Sequence, residues 1–291
     1  MPRLKLTLAY QGTRYAGWQL QAPVWRDPSS GLFCAPGQDQ KSPAPSPKAA
    51  PSSSDAKLPQ TIQGELESCV ARILGVERIP IHGAGRTDSG VHAEGQVCHL
   101  DLPAKSERIG WRQALNTYLP HDIRITGAAW VSDDFHARES ALGKRYAYSL
   151  WMSQDKALPR IAPFVWSTPV PDLDAATRAL PLLTGRHDFA SFQNSGSDII
   201  DTVRTLRSIT ISPGTVAGLS CPPHWPVATF IFEGDGFLKQ MTRNLVGLLV
   251  WIAQGKIRAG DIPAIFAAGH RGALPSPTAP AQGLSLMEVM Y

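Results

Sequence analysis

Runs of strand-like alternation keep returning along this chain, separated by one helical stretch at a time, and that order restricts the fold more than anything else. The first run, "LKLTLAY", puts Leu4, Leu6, Leu8 and Tyr10 on one face of an extended segment. Thr61 stands where it can cap a helix whose Ile62, Leu66, Val70 and Ile73 share a face, and Gly75 ends it. A strand is predicted around Arg78 to His82, then a glycine-rich bend, then a strand through "GQVCHLDL". "SERIGWRQALNTYLP" predicts a helix stopped by Pro120, and "DIRITGAAWV" and "KRYAYSLWM" predict strands. The order then recurs with variation. "PDLDAATRALPLLTG" predicts a helix with an internal Pro181, and "TVRTLRSITIS" and "PVATFIFEG" predict strands. "GFLKQMTRNLVGLLVWIAQG" predicts an amphipathic helix burying Leu238, Met241, Leu245, Leu248 and Ile252, and "QGLSLMEVMY" a closing strand. Strands interleaved with single helices, twice over, predict an α+β fold with antiparallel sheets.

One segment departs from this texture. Residues 23–60 hold eight prolines and seven serines. Proline sustains neither a helix nor a central strand, and so little apolar surface cannot offset the entropy of ordering, so a flexible surface insertion is expected. Trp25 and Phe33 are the residues that could anchor its front end.

With 291 residues, 43% of them apolar, the chain can bury a sizeable core as one large or two modest domains. A formal charge of +4 permits a polyanionic partner without requiring one. The four cysteines lie far apart with no C-x-x-C pair, which points to reduced thiols in a cytoplasmic protein, not to zinc or disulfides. The N-terminus has no long apolar region of a signal peptide, and "NLVGLLVWIA" is shorter than the roughly 20 residues of a membrane span.

The chemistry is concentrated in the bend "GAGRTDSGVHAEGQVCHL", where Arg86 and Asp88 sit among glycines. Asp-Ser-Gly by itself is an ordinary turn. It also occurs in aspartic proteases, but there apolar strand residues precede the Asp, whereas here Arg86 and Thr87 do. With no second D-[ST]-G, a protease would have to assemble its pair of carboxylates in a homodimer.

The longer string "GRTDSGVHA" resembles the catalytic motif of the tRNA pseudouridine synthase A family, and the likeness continues along the chain. "AYQGTRYAGWQLQ", "TIQGELE", "LPHDIRI", "DDFHARESALGKRYAY", "GRHDFASF", "GDGFLKQMTRNLVG" and "APAQGLSLMEVMY" follow in the family's order, leaving out only the insertion. The resemblance implies a pseudouridine synthase fold: two similar α+β halves, residues 1–150 carrying the Asp motif and residues 151–291, with joined antiparallel sheets and a central basic cleft. It implies a homodimer acting on the tRNA anticodon stem-loop at family positions 38, 39 and 40, without metal or other cofactor. No P-loop, Rossmann fingerprint or metal-ligand cluster appears in the sequence.

The residues fit that chemistry. Converting uridine to pseudouridine breaks the N1–C1′ bond and joins C5 to C1′, which needs a carboxylate that attacks C1′, attacks C6 of the ring or removes a sugar proton. Asp88 is the carboxylate in the matching motif. Burial beside a base works against ionisation, so a compensating cation is expected; Arg243 of "QMTRNLVG" matches the family's partner of the Asp and is expected to grip it with two prongs. By the same resemblance Arg86 helps extrude the target nucleotide, while Tyr146 and Leu284 line the base pocket. Of the basic residues near these motifs (Arg14, Lys144, Arg145, Arg186, Lys239 and Arg243), several are expected to be plain surface charges, and His92 and His187 are expected to be structural. Two other classes stay open: a non-catalytic RNA-binding module and a dimeric aspartyl hydrolase. Glu139, Ser285 and the insertion depart from the family's pattern.

Overall fold

The computed structural model describes residues 1–19, 60–196 and 199–291, with the backbone of two short strands between residues 20 and 59. The alternation of the first run becomes β1 (Arg3–Tyr10), in which Leu4, Leu6, Leu8 and Tyr10 are all buried. β2 (Trp25–Arg26) and β3 (Phe33–Cys34) pair with each other, and the rest of the expected flexible insertion lies outside the described residues.

α1 (Ile62–Leu74) is bounded as its sequence requires. The Thr61 hydroxyl accepts the Gly64 N–H at 3.1 Å, and Gly75 takes the left-handed conformation at φ 66° that a side chain would disfavour. Ile62, Leu66 and Val70 are fully buried, each contributing about 1.5–3 kcal/mol over an exposed position. The strand expected over residues 78–82 is nearly absent: only β4 (His82–Gly83) pairs. Pro80 has no N–H to give a ladder, and this stretch bonds to α1 instead. Arg78 Nε donates to Glu67 Oε2 at 2.7 Å, and the Ile81 N–H donates to Glu67 Oε1 at 3.2 Å.

β5 (His92–Asp101) follows. The single helix expected over residues 106–119 is instead a 3-10 turn at Ala104–Arg108 and then α2 (Trp111–Tyr118), because Gly110 interrupts the two and starts the second. β6 (Ile123–Val131), β7 (Gly143–Trp151), β8 (Trp166–Ser167) and α3 (Leu173–Leu183) come next. Then follow β9 (Gly185–Asp188), β10 (Val203–Pro213), the β11 (Thr215–Val216) and β12 (Leu219–Ser220) pair, and β13 (Val227–Gly234). α4 (Met241–Ala253), α5 (Ile262–Ala268) and β14 (Leu284–Met290) complete the chain.

The strands form one large mixed sheet in the order β6-β1-β5-β14-β7-β13-β10-β9, with β4 on β5 and β8 on β7. The last strand is therefore central. It runs antiparallel to β7 but parallel to β5, through Ser285↔His92 and Leu286↔Ala93, which corrects the all-antiparallel expectation. No hairpin joins β5 and β14, so nothing local dictates their direction. β8 is parallel to β7 for the same reason. Residue 150, where the sequence reading divides the chain, lies inside β7, and that strand is bonded to β13 and β14. One continuous apolar core lies between strands and helices from both ends of the chain.

α4 differs from its sequence pattern. It begins at Met241, after Gln240 in a left-handed conformation, and it is buried on almost every side, not along one stripe. α3 packs on it, and residues 276–279 cross it so closely that a Cβ on Gly247 would lie 2.0 Å from the Pro277 carbonyl oxygen. No helix among the described residues is long and apolar enough to cross a membrane.

Candidate active site

Residues 84–91, between β4 and β5, form a bend that almost every neighbour helps to fix. The Ala84 N–H donates to Val97 O at 2.8 Å, and the Ala84 carbonyl accepts from Lys144 Nζ at 2.9 Å. Gln96, fully buried on β5, donates from Nε2 to Gly85 O at 2.9 Å. The buried Thr87 hydroxyl lies 2.8 Å from the Tyr10 hydroxyl, and the Trp18 N–H donates to Thr87 O at 3.1 Å. Ser89 Oγ reaches Tyr15 O at 3.0 Å. The loop after β1 comes this near because Gly17 has φ 100° and no side chain; a Cβ there would meet Thr87 O at 2.6 Å.

Asp88 leaves this frame toward α4. Arg243 Nη1 donates to Asp88 Oδ2 at 2.7 Å, with side chains 13% and 33% exposed, so the pair is only partly screened by water. The two-pronged grip expected from the sequence is not formed. Arg243 Nε donates to Ala279 O at 2.7 Å, and the Ala279 N–H returns a bond to Arg243 O at 3.1 Å. The guanidinium is thus divided between the carboxylate and the backbone of the segment that leads into β14. That segment is fixed by Arg271, whose Nη1 donates to Leu274 O at 2.8 Å and Nη2 to Ser276 O at 3.2 Å, while its Nε donates to Asn194 Oδ1 at 3.0 Å. Thr278 Oγ1 adds a bond to Asn244 Oδ1 at 2.6 Å.

Tyr146 is buried on β7 between Phe232 of β13 and Leu286 of β14, and Phe237 meets its ring edge-on at a centroid distance of 4.9 Å. Its phenol is pushed well above the usual range, by burial first and then by Tyr10 and the Asp88 charge, so it is neutral and within electrostatic reach of Asp88. Leu284 is buried opposite Tyr148, whose hydroxyl donates to Pro280 O at 2.7 Å. Gly90 approaches Ala281, so the segment before Leu284 closes against the Asp88 bend. Arg86 is exposed, and its side chain has no hydrogen bond or ion pair among the described residues.

The other basic residues separate into distinct roles. Arg14 pairs with Asp122 at 2.7 Å, and Arg145 with Glu233 at 3.1 Å and Glu288 at 2.8 Å, so their charges are largely used within the protein. Lys239 Nζ donates to Ser195 O at 2.8 Å, while Arg186 is exposed. His92 and His187 are structural, as expected. His92 Nδ1 accepts the Gly12 N–H at 3.2 Å, so Nε2 carries the proton to Pro163 O at 2.9 Å; His187 bonds to Thr184 O at 3.0 Å. Burial lowers the His92 pKa. Sequence reasoning missed Gln96, Ala279, Phe237 and Arg271. Ala279 acts through its carbonyl, which leaves no mark in side-chain chemistry. Gln96, in the string of the bend, and Phe237, in a matched string, are a neutral amide and an apolar ring with no chemistry to single them out, and Arg271 lies outside those strings.

Among the described residues Asp88 is paired with a guanidinium and not with a second carboxylate, so the two groups form an ion pair and not a proton-sharing pair. A family model described as tRNA pseudouridine synthase matches residues 179–291, which include Arg243 and Leu284. Whole-chain relatives extend the likeness across Asp88. A tRNA pseudouridine synthase A of Oleidesulfovibrio alaskensis is 45% identical over all of this chain and 97% of its own. That of Lawsonia intracellularis is 41% identical over the whole of both chains, and that of Geobacillus kaustophilus 34% over 99% and 94%. The chain belongs to the tRNA pseudouridine synthase A family.

Proposed function

We propose that the protein isomerises uridine to pseudouridine in the anticodon stem-loop of tRNA, with Asp88 as its nucleophile. The observation that carries this reading is the Asp88–Arg243 pair, held from two separate segments beside the buried ring of Tyr146. A carboxylate is competent to attack C1′ or C6, or to take a sugar proton, and every route needs it aimed at the nucleotide. Arg243 provides that aim, because its second contact to Ala279 fixes the direction of Nη1. Tyr146 and Leu284 form walls for the uracil; stacking on an aromatic face restores about 1–3 kcal/mol to a base taken out of its helix. Arg86, exposed at the same bend and unpaired among the described residues, can occupy the gap left by the extruded nucleotide or hold its backbone. The reaction moves no electrons or phosphoryl group, so no cofactor or metal is required.

In this reading residues 1–150 and 151–291 make two similar halves around a basic cleft, with β7 running across their junction. The stem-loop is recognised by shape more than by base identity. The working enzyme is a cytoplasmic homodimer in which each tRNA touches both subunits. The test is to incubate the protein with unmodified tRNA transcripts and map pseudouridine by chemical labelling and primer extension. New stops in the anticodon stem-loop are expected, and their appearance only elsewhere, or with Asp88→Asn as well, overturns the assignment.

A further inference from the structure

Lys144 is a cation in an unusual position. It lies on β7, two residues before Tyr146, so strand alternation puts both side chains on one face. Its Nζ donates to Ala84 O at 2.9 Å and fits so tightly under the bend that a Cβ on Gly85 would lie 2.7 Å from it. The ladder partners of Lys144 are Gly234 on β13 and Val289 on β14, neither of which brings a charge. The charged group acting on it is Arg138, which repels it. Burial first, then Arg138, lowers the amine to about 8 from 10.5.

We propose that Lys144 is a positioning residue: its ammonium fixes the Ala84 carbonyl and thereby ties the bend presenting Arg86 and Asp88 to the strand face that carries Tyr146. The proposal rests on the site reading above. Gln96 holds the next carbonyl, Gly85 O, from β5, so successive carbonyls are gripped from two strands. Asp88 follows four residues after Ala84, and any slack at Ala84 turns directly into error between the carboxylate and the base. A charged amine gripping a neutral carbonyl, with a repelling arginine as the charged group acting on it among the described residues, is a poor device for stability, since no opposite charge among them offsets the burial cost. A neutral side chain of similar length removes that cost and loses the grip.

The experiment compares wild type with Lys144→Met and Lys144→Gln, using full-length protein and an unmodified tRNA transcript. Expected for Lys144→Met are a single-turnover rate about tenfold lower, the scale of a small misplacement of a reacting group, and tRNA affinity within about twofold. Its thermal midpoint at neutral pH should be no lower than wild type. Lys144→Gln keeps an N–H donor and should recover part of the lost rate. The sign of the pH dependence follows from the lowered pKa. Between pH 8 and 10.5 the unfolded chain binds more protons than the folded one, so wild type gains stability relative to Lys144→Met as pH rises through that window. An unchanged rate overturns the proposal. So does a parallel loss of affinity, which makes Lys144 a phosphate contact, and so does a lower midpoint or failure to fold at neutral pH, which makes it an ordinary structural residue. Asp88→Asn separates the two levels: if that variant turns over, the site reading fails, whereas an inactive Asp88→Asn beside a normal Lys144→Met removes only the role of Lys144.

Discussion

Asp88 and Arg243 meet in one ion pair, but the segments that bring them there are built on opposite plans. The bend carrying Asp88 joins the apolar core only at its two ends, Ala84 and Val91; between them it is held by hydrogen bonds from the loop after β1 and from β5 and β7. α4 is a sealed apolar rod, with Leu245, Val246, Leu248 and Leu249 fully buried, and Arg243 rides on its first turn. Hydrogen bonds are directional and individually worth about 1 kcal/mol net, so the bend has precise geometry at little cost in stability when disturbed. Close packing is collective, so the helix contributes much stability and allows little local adjustment. Damage to the bend should therefore be read mainly in rate, and damage to the helix mainly in stability.

The sharpest way to break that contrast is Asp88→Asn. Pseudouridine formation should disappear, tRNA affinity should stay within a few-fold because phosphate contacts remain, and the thermal midpoint should move by only a few degrees. Measurable turnover by purified Asp88→Asn, or a collapse of its midpoint, would make the bend a structural element. On the helix side, Leu248→Ala should cost about 2–5 kcal/mol in denaturant unfolding while the single-turnover rate per folded molecule stays near wild type. A rate loss matching the stability loss would show that α4 adjusts Arg243 continuously, contrary to the rigid-rod description.

Arg243→Lys tests the joint between the two. Lysine keeps the charge but cannot serve both Asp88 and Ala279 from one planar group, so the rate should fall about 10–100-fold, the range of one lost charge-assisted hydrogen bond. Affinity measured at two salt concentrations should hardly change; a weaker, less salt-sensitive complex with normal rate would return Arg243 to a phosphate contact. The smallest expected effect is at Thr61→Ala, which removes the cap of α1 next to the loop that supports the bend. A loss of about 1 kcal/mol with unchanged rate is expected from urea titration and single-turnover assays. A slower rate there would mean that the α1 end of the loop helps to set the bend.

Local periodicity and local chemistry determined a good deal of this protein by themselves. The buried face of β1, the cap and stop of α1 and the α+β class follow from the period of apolar residues and from Thr61 and Gly75, features that act within one or two turns of chain. Asp88, Arg86, Tyr146, Arg243 and Leu284 were legible because they lie in short strings that can be matched one at a time. Tertiary structure alone decided the rest. It set β14 parallel to β5 in the middle of the sheet, since strands nearly two hundred residues apart have no turn to fix their direction. It buried α4 all round, because a helix cannot encode in its own pattern how many neighbours will cover it. It also divided the Arg243 guanidinium between Asp88 and Ala279 O and put Lys144 under Ala84 O. Ala279 O and Ala84 O are backbone carbonyls, a group identical in every residue, and only the folded path of the chain says which carbonyl a side chain will meet.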